Sequence, residues 1–248
     1  RPVLTGDGID VVPSEDGVSC CSGGSEAIDQ AVRDGATEAE LEIEVVEPEF
    51  STEAVEDMGI EEPVGGTLGW RAGEGDVEGP RPGFTTWQVG SGGRAHNIGQ
   101  MAQDVDGAWV APGGTWSIND HVGARSCPPY QSGGAIVDGE MEEVCGGGTS
   151  QFATTMLNAA YFAGLDVTGR AHSQYFSRYP RGREATMGAP GTPLDVTLTN
   201  NTPYGVYIQS VRHGDEVTVT LWSTSHIEVA QTDISERSSG ECSFVTTT

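Results

Sequence analysis

The sequence predicts a mixed α+β fold, rich in loops and glycine, with a buried helix at its centre. Three observations support this prediction. The 248 residues include 36 glycines and only 36% hydrophobic residues, which is typical of a loop-rich protein with a modest core. An apolar stretch with helical spacing follows three glycines at 146–148. Near the C-terminus, several segments alternate apolar and polar residues, as half-exposed strands do.

The central helix is predicted to begin directly after the glycines at 146–148, which permit positive φ and a close approach of other groups. Apolar residues recur at helical spacing over 152–163, and Gly164 is a suitable C-terminal stop. Thr149 and Ser150 stand where unpaired N–H groups and the positive end of the helix dipole gather. Either residue could cap the helix, or one could be a reactive hydroxyl. The local pattern leaves both possibilities open.

Residues 1–64 are predicted to form a small acidic α+β module. A helical pattern covers 25–33, and residues 41–45 alternate apolar and charged side chains as a half-exposed strand does. The first 80 residues hold 21 of the 37 acidic residues and three arginines. We expect these carboxylates to form a solvated face, so no metal site and no cofactor is predicted. The stretch 65–83 is rich in glycine and proline and is predicted to be a linker.

The C-terminal part shows the clearest strand patterns. Apolar and polar residues alternate over 194–198, 204–210 and 217–221, and turn-forming residues separate the three segments. They are predicted to form a three-stranded antiparallel β-meander. Residues 229–248 are polar and rich in serine and threonine, and they are predicted to be a polar tail that either frays or continues in the parent protein.

Charge excludes two classes of partner. The formal net charge is −25, and all 12 basic residues are arginines. Nucleic-acid binding depends on neutralising phosphates with basic residues, and anionic membranes likewise attract basic segments, so both partners are disfavoured. The sequence begins with Arg1 and contains neither a secretory signal nor an apolar run of membrane-spanning length. We therefore expect a processed or excised fragment, with any signal or anchor outside it.

The five cysteines suggest an oxidising compartment. Cys127 and Cys145 flank a glycine-rich loop, and a disulfide between them would stabilise the fold by roughly 3 kcal/mol through loop closure. Cys20 and Cys21 could pair with each other, or one of them could reach Cys242. Such bonds are typical of extracytoplasmic proteins. The alternative is five reduced, buried thiols.

Several motifs occur in one order between residues 84 and 224. They are Phe-Thr-Thr at 84–86, Arg-Ala-His-Asn-Ile at 94–98, the stretch 111–119, the glycines and helix start at 146–155, His-Ser at 172–173, and the stretches 179–186 and 195–201. On these motifs the chain resembles the VanW family, named for a protein of vancomycin-resistance clusters, and the glycine motif is most similar to actinobacterial members. A VanW-like domain is expected over 84–228. The module 1–64 more weakly resembles the peptidoglycan-binding domain that often precedes VanW domains.

The resemblance implies work on peptidoglycan in the cell envelope. Some members are similar to L,D-transpeptidases, with the cysteine of a Gly-Gly-Gly-x-Cys-Gln motif as the proposed nucleophile. This chain has Ser150 at that position. A helix N-terminus can lower the pKa of a cysteine, whereas a serine needs an adjacent base. If the site is catalytic, we expect Ser150 as nucleophile, His172 as general base and Glu184 as the carboxylate that orients His172.

Ligand contacts are expected from the glycine turn and from arginines. Backbone N–H groups of the turn would stabilise an oxyanion, and a guanidinium would bind the carboxylate of a stem peptide. The residues expected to bind ligand are Gly146, Gly147, Gly148, Thr149, Gln151, Arg170 and Arg183. Structural alternatives stay open: His172 could bond a backbone carbonyl, and Glu184 could pair with Arg181 or Arg183.

Three functions are compatible with these features. The first is an extracytoplasmic cell-envelope protein that binds peptidoglycan or its stem peptides. The second is an acyl-transfer enzyme similar to L,D-transpeptidases that uses Ser150 and His172. The third is a structural module of a surface assembly, with other cell-surface proteins as partners.

Overall fold

A computed structural model describes residues 1–6, 8–21, 23–87, 90–137, 139–172, 176–239 and 242–247, the last range without the side chains of 242–244. Ser173 of the predicted His-Ser motif and the side chain of Cys242 lie outside the described residues.

In the described part of the chain, the helices are α1 (Gly24–Arg33), α2 (Thr52–Glu56), α3 (Gly93–Val105), α4 (Ile118–Val122) and α5 (Ser150–Phe162). The strands are β1 (Pro2–Thr5), β2 (Gly8–Val11), β3 (Gly17–Cys20), β4 (Ile43–Val46), β5 (Glu62–Val64), β6 (Thr67–Arg71), β7 (Gly75–Glu78), β8 (Gly83–Trp87), β9 (Ala108–Val110), β10 (Thr115–Ser117), β11 (Ser132–Val137), β12 (Glu140–Cys145), β13 (Asp166–Thr168), β14 (Thr197–Thr199), β15 (Val206–His213), β16 (Glu216–Ser223), β17 (Ile234–Ser239) and β18 (Cys242–Thr247). The prediction of a mixed α+β fold is confirmed.

A seven-stranded sheet forms the centre of the molecule. Its strand order is β7-β6-β8-β16-β15-β9, and β5 also pairs with β16. Neighbouring strands are antiparallel except β6 and β8, which run parallel. Helices α3 and α5 contact each other and pack against β15, β16 and β8. Their apolar side chains and those of the sheet form the core, so a helix layer covers the sheet.

The predicted central helix is confirmed as α5. Nine of its 13 residues are buried, including Phe152 and Met156, which are fully enclosed in the core. The helix is therefore held by packing on its apolar sides and not by helix propensity alone. Its first residue, Ser150, lies at the edge of this core, so the N-terminus of α5 is the part of the helix that can meet a ligand.

The interpretation of 65–83 as a linker is wrong, because β6 and β7 lie within this stretch and belong to the central sheet. Gly69 shows why the composition misled. Its Cα pairs with that of Thr85, and a Cβ at this position would lie 2.7 Å from the Thr85 carbonyl oxygen and 2.9 Å from the Trp87 ring. The glycine thus allows close packing inside a strand and does not interrupt it.

The predicted β-meander is only partly present. β15 and β16 form the expected antiparallel hairpin. The first of the three predicted segments, 194–198, instead leads into β14, which pairs with β10 and β13 in a separate sheet. Asn200 causes the change of direction, because its side-chain amide donates to the carbonyl oxygens of Val110, Ala111 and Tyr204. These bonds fix the chain beyond β14 to the end of β9.

The predicted polar tail contains regular structure, so the expectation that it frays is wrong. Residues within 229–248 form the antiparallel hairpin β17–β18. This hairpin contacts the turn near Gly182, where Arg181 pairs with Glu236 at 2.5 Å and the Thr247 hydroxyl donates to the Arg181 carbonyl oxygen. No described helix is both long and apolar enough to cross a membrane.

Candidate functional site

A cleft of about 860 Å³ opens at the N-terminal end of α5. The hairpin β11–β12 forms one wall, and residues 186–190 with Leu194 form the opposite wall. The glycine turn and the first residues of α5 form the base. The volume lies within the usual range for small-molecule sites.

The glycine turn is shaped by close backbone contacts. Gly146 and Gly148 have φ values of 75° and 94°, which glycine adopts readily. A Cβ on Gly147 would lie 1.9 Å from the carbonyl oxygen of Gly133 in β11, so only glycine fits there. The Asn97 side chain of α3 donates to the Gly147 carbonyl oxygen at 3.0 Å and thereby ties the turn to α3.

Part of the expected oxyanion hole is not available. The Gly146 amide donates to the Gln131 carbonyl oxygen at 3.0 Å, and the Gly147 amide donates to that of Val144 at 3.1 Å. These two amides hold the hairpin β11–β12 and cannot face a ligand, so their predicted role is wrong. The amides from residue 148 to residue 150 donate to no described residue, and they lie at the positive end of α5.

The hydroxyl groups at the helix start do not cap it. The Thr149 hydroxyl donates back to the Gly146 carbonyl oxygen at 3.2 Å, which closes the turn. Ser150 Oγ accepts a hydrogen bond from the Met187 amide at 3.1 Å and lies 3.5 Å from Thr186 Oγ1. Ser150 therefore anchors the segment 186–187 to α5 while it lines the cleft.

His172 lines the same cleft as Ser150. Its ring stacks on Tyr179 at 4.9 Å between centroids and meets Phe176 edge to face. Burial, helped by the positive charge of Arg178, lowers the pKa of His172 to about 4, so the imidazole is neutral at pH 7. Its Nδ1 is buried without a partner, and no described hydrogen bond joins it to Ser150.

Glu184 does not orient His172 in this structure. It does not line the cleft, and its buried Oε2 makes no described hydrogen bond. Burial raises the pKa of the Glu184 carboxyl, and the nearby charge of Arg181 opposes this shift. Ser150 and His172 thus line one cleft, but no described hydrogen bond assembles them into a triad with Glu184.

Arg183 has a structural role instead of the predicted ligand contact. Its side chain is almost fully buried, and one nitrogen donates to both Asp76 carboxylate oxygens at 2.7 Å. A second nitrogen donates to Asn158 Oδ1 at 2.8 Å. A ligand carboxylate would have to displace Asp76 of β7, so Arg183 is removed from the candidate site.

Two other predicted ligand contacts point elsewhere. Gln151 is buried, accepts a hydrogen bond from Arg94 at 2.6 Å and donates one to Thr86. It therefore joins α3, α5 and β8 and does not face the cleft. Arg170 is exposed and does not line the cleft. Neither residue belongs to this cleft, and their contact with a ligand stays a prediction.

The cations that line the cleft are Arg94, Arg125 and Arg178. Arg94 belongs to the motif at 94–98, but none of the three was among the expected ligand contacts. Arg178 lies over the rings of Phe176 and Tyr179, and Arg125 donates to Asn119 and to the Gly188 carbonyl oxygen. Neither Arg125 nor Arg178 forms an ion pair with a described carboxylate. No aspartate or glutamate is among the described residues that line the cleft. Counting charges by segment could have indicated a cleft without carboxylates, because residues 123–135 contain no aspartate or glutamate.

The Cys127 and Cys145 side chains lie together at one end of the hairpin β11–β12. Their Cα atoms are 5.9 Å apart, a spacing that suits a disulfide. Cys20 and Cys21 also approach each other. In the described part of the chain, no group of three or more potential metal ligands converges.

Comparisons with known proteins support the resemblance. The family model described as VanW like protein matches residues 93–222, more than half of the chain. The uncharacterized protein YoaR of Bacillus subtilis (strain 168) is 35% identical over 136 residues, which cover 54% of this chain and 44% of YoaR. The match therefore spans less than half of that relative. No solved structure matches the chain. The chain belongs to the VanW family and is a VanW-type protein of the cell envelope.

Proposed function

We propose that this protein binds peptidoglycan or its stem peptides outside the cytoplasm, in the cleft at the start of α5. The observation that carries the proposal is the charge of this cleft. Arg94, Arg125 and Arg178 line it and no aspartate or glutamate is among its described lining residues, although the chain as a whole carries a net charge of −25. The cleft therefore offers a local site for an anion on a protein that otherwise repels anions.

Stem peptides carry carboxylates at their ends and side chains, and guanidinium groups bind carboxylates in a bidentate manner. Arg178 is the best placed of the three arginines for this contact. It has no described ion pair to give up, and its position over Phe176 and Tyr179 leaves its donors available. The amides of residues 148–150 add donors at the start of α5, which lines the same cleft.

Acyl transfer has less support than binding. A serine nucleophile needs a base within hydrogen-bond reach. The described partners of Ser150 Oγ are the Met187 amide and the Thr186 hydroxyl, neither of which is a base. With a pKa of about 4, the imidazole of His172 is also a weak base. Binding requires none of these groups to change protonation.

Sedimentation with purified peptidoglycan sacculi tests the proposal. We expect the wild-type chain to sediment, and Arg178→Gln to bind about tenfold more weakly, since a charge-assisted hydrogen bond contributes about 1.5–3 kcal/mol. Arg33→Gln, which removes an exposed arginine from α1, is the matched control and should bind like wild type. Failure of the wild type to sediment would contradict the proposal.

A second arm of the experiment separates binding from chemistry. Ser150→Ala should still sediment, because the described partners of its hydroxyl are the Met187 amide and the Thr186 hydroxyl and not the lining arginines. Incubation of the wild type with muropeptides should release no D-alanine and form no new cross-links. Product that disappears in Ser150→Ala would favour the acyl-transfer enzyme instead.

A further inference from the structure

The cleft has an apolar wall that the arginines do not explain. Large apolar side chains line it on both sides: Ile136, Val137, Met141 and Val144 come from the hairpin β11–β12, and Met187 and Leu194 come from the opposite wall. None of these six is buried, and Met141 and Val137 keep 68% and 37% of their surface exposed. Apolar side chains that converge on a cleft and stay in contact with water indicate a ligand surface.

The apolar wall and the cations belong to one cavity. Arg125 and Arg178 line it together with the six apolar side chains, and no described carboxylate interrupts them. A ligand that satisfies both surfaces needs an anionic group for the arginines and a hydrocarbon portion for the wall. A fully polar anion would leave the apolar wall in water, and a neutral hydrocarbon would place no negative charge beside the arginines.

We propose that this cleft binds an amphiphilic anion, in which a phosphate or carboxylate head is attached to a hydrocarbon chain. The head contacts Arg178 and Arg125, and the chain covers Ile136, Val137 and Met141 of the hairpin. The proposal goes beyond peptidoglycan binding, because it rests on the apolar wall and stands even if sacculi do not bind. Charge complementarity selects the anion over a neutral lipid.

A chain-length series of soluble ligands tests the proposal. Titration calorimetry would compare butyl, hexyl, octyl and decyl phosphate, each kept below the concentration at which it forms micelles. Burial of a methylene contributes about 0.8 kcal/mol, so each step of two carbons should tighten binding roughly tenfold until the wall is covered. Inorganic phosphate should bind much more weakly than octyl phosphate. Equal affinity across the series would overturn the proposal.

The head group is tested with matched ligands of one chain length. Octyl phosphate and octanoate should both bind, and the ratio of their affinities shows which anionic head the cleft prefers. Octanol, which has no charge, should bind at least tenfold more weakly than either. Equal binding of octanol would overturn the role of the arginines. Arg178→Gln should weaken the binding of octyl phosphate and of inorganic phosphate by a similar factor. Arg33→Gln should leave the affinity for both ligands unchanged.

Wall variants provide the complementary test. Val137→Ser and Met141→Ser change exposed side chains, so the fold should persist, and each should weaken octyl phosphate several-fold without affecting inorganic phosphate. Val211→Ser is the matched control, because Val211 on β15 is also 37% exposed but lies outside the cleft. If octyl phosphate binds both wall variants as tightly as it binds wild type, its hydrocarbon chain does not contact the apolar wall and the proposal fails. Sacculus sedimentation is unaffected by this result, so the two proposals can fail separately.

Discussion

The neutral imidazole of His172 has a measurable consequence at acidic pH. Its pKa is about 4 in the folded protein and near 6.5 in an unfolded chain. Between these values the unfolded state binds a proton that the folded state does not, so the free energy of unfolding falls as pH drops from about 6.5 to 4. Above that window the contribution of His172 to stability is fully present.

We therefore expect wild type to lose up to roughly 3 kcal/mol more stability than His172→Gln between pH 7 and pH 4. Urea denaturation of both proteins across this range measures the difference. His213→Gln, a change at an exposed position on β15, should follow the wild-type curve. Parallel curves for wild type and His172→Gln would show that His172 does not have this lowered pKa.

Arg183 illustrates how one error in sequence interpretation caused another. From the sequence, its guanidinium was expected to bind a ligand carboxylate, with a salt bridge to Glu184 as the structural alternative. Its main partner is Asp76, which lies in the stretch 65–83 that was taken for a linker. With that stretch recognised as β6 and β7, Arg183 becomes the link between the sheet edge and the segment that carries the site.

At the scale of elements, the sequence predicted the helices and strands whose formation depends on local residue patterns. Helix α5 and the hairpin β15–β16 follow from apolar periodicity and turn residues, and both are confirmed. Strand β6 could not be predicted, because a glycine such as Gly69 usually interrupts a strand. Its role becomes clear only from the tertiary structure, where the Trp87 ring packs closely against it. Arg125 precedes α5 in the sequence and Arg178 follows it, yet both line the same cleft. Such convergence is a property of the tertiary fold, and no spacing in the sequence encodes it.

The glycine turn gives a prediction at this scale that separates steric from conformational effects. Gly147→Ala should destabilise the fold by about 3 kcal/mol or more, because the new Cβ would overlap the Gly133 carbonyl oxygen and push β11 away from α5. Gly139→Ala is the control in the same hairpin. Gly139 has a φ of 88° and open space around it, so the change should cost only about 1–2 kcal/mol.

Denaturant unfolding measures the stability of Gly147→Ala and of Gly139→Ala. Binding of octyl phosphate to the two variants is a second measurement, which reports on the shape of the cleft. Since the hairpin forms one wall of the cleft, a folded fraction of Gly147→Ala should also bind this ligand more weakly than Gly139→Ala does. Equal stability of the two variants would mean that the close contact between Gly147 and Gly133 is absent.

At the scale of the whole molecule, net charge governs stability in solution. The 37 acidic residues outnumber the 12 arginines threefold, and 21 of the acids precede residue 81. Only four ion pairs form among the described residues, and three of them are at least partly exposed on both sides. Self-repulsion among carboxylates therefore outweighs the attraction of the pairs, since exposed pairs contribute at most about 1 kcal/mol each.

Salt should therefore stabilise this protein. Raising ionic strength from about 0.01 M to 0.1 M shortens the Debye length from about 30 Å to about 10 Å, which screens repulsion between distant carboxylates. We expect the urea midpoint to rise over this range. A variant in which the exposed Glu38, Glu40, Glu42 and Glu44 become glutamine should be more stable than wild type at low salt and should respond less to added salt. A midpoint that falls with salt would mean that the ion pairs, above all Arg183–Asp76, contribute more to stability than the net charge takes away.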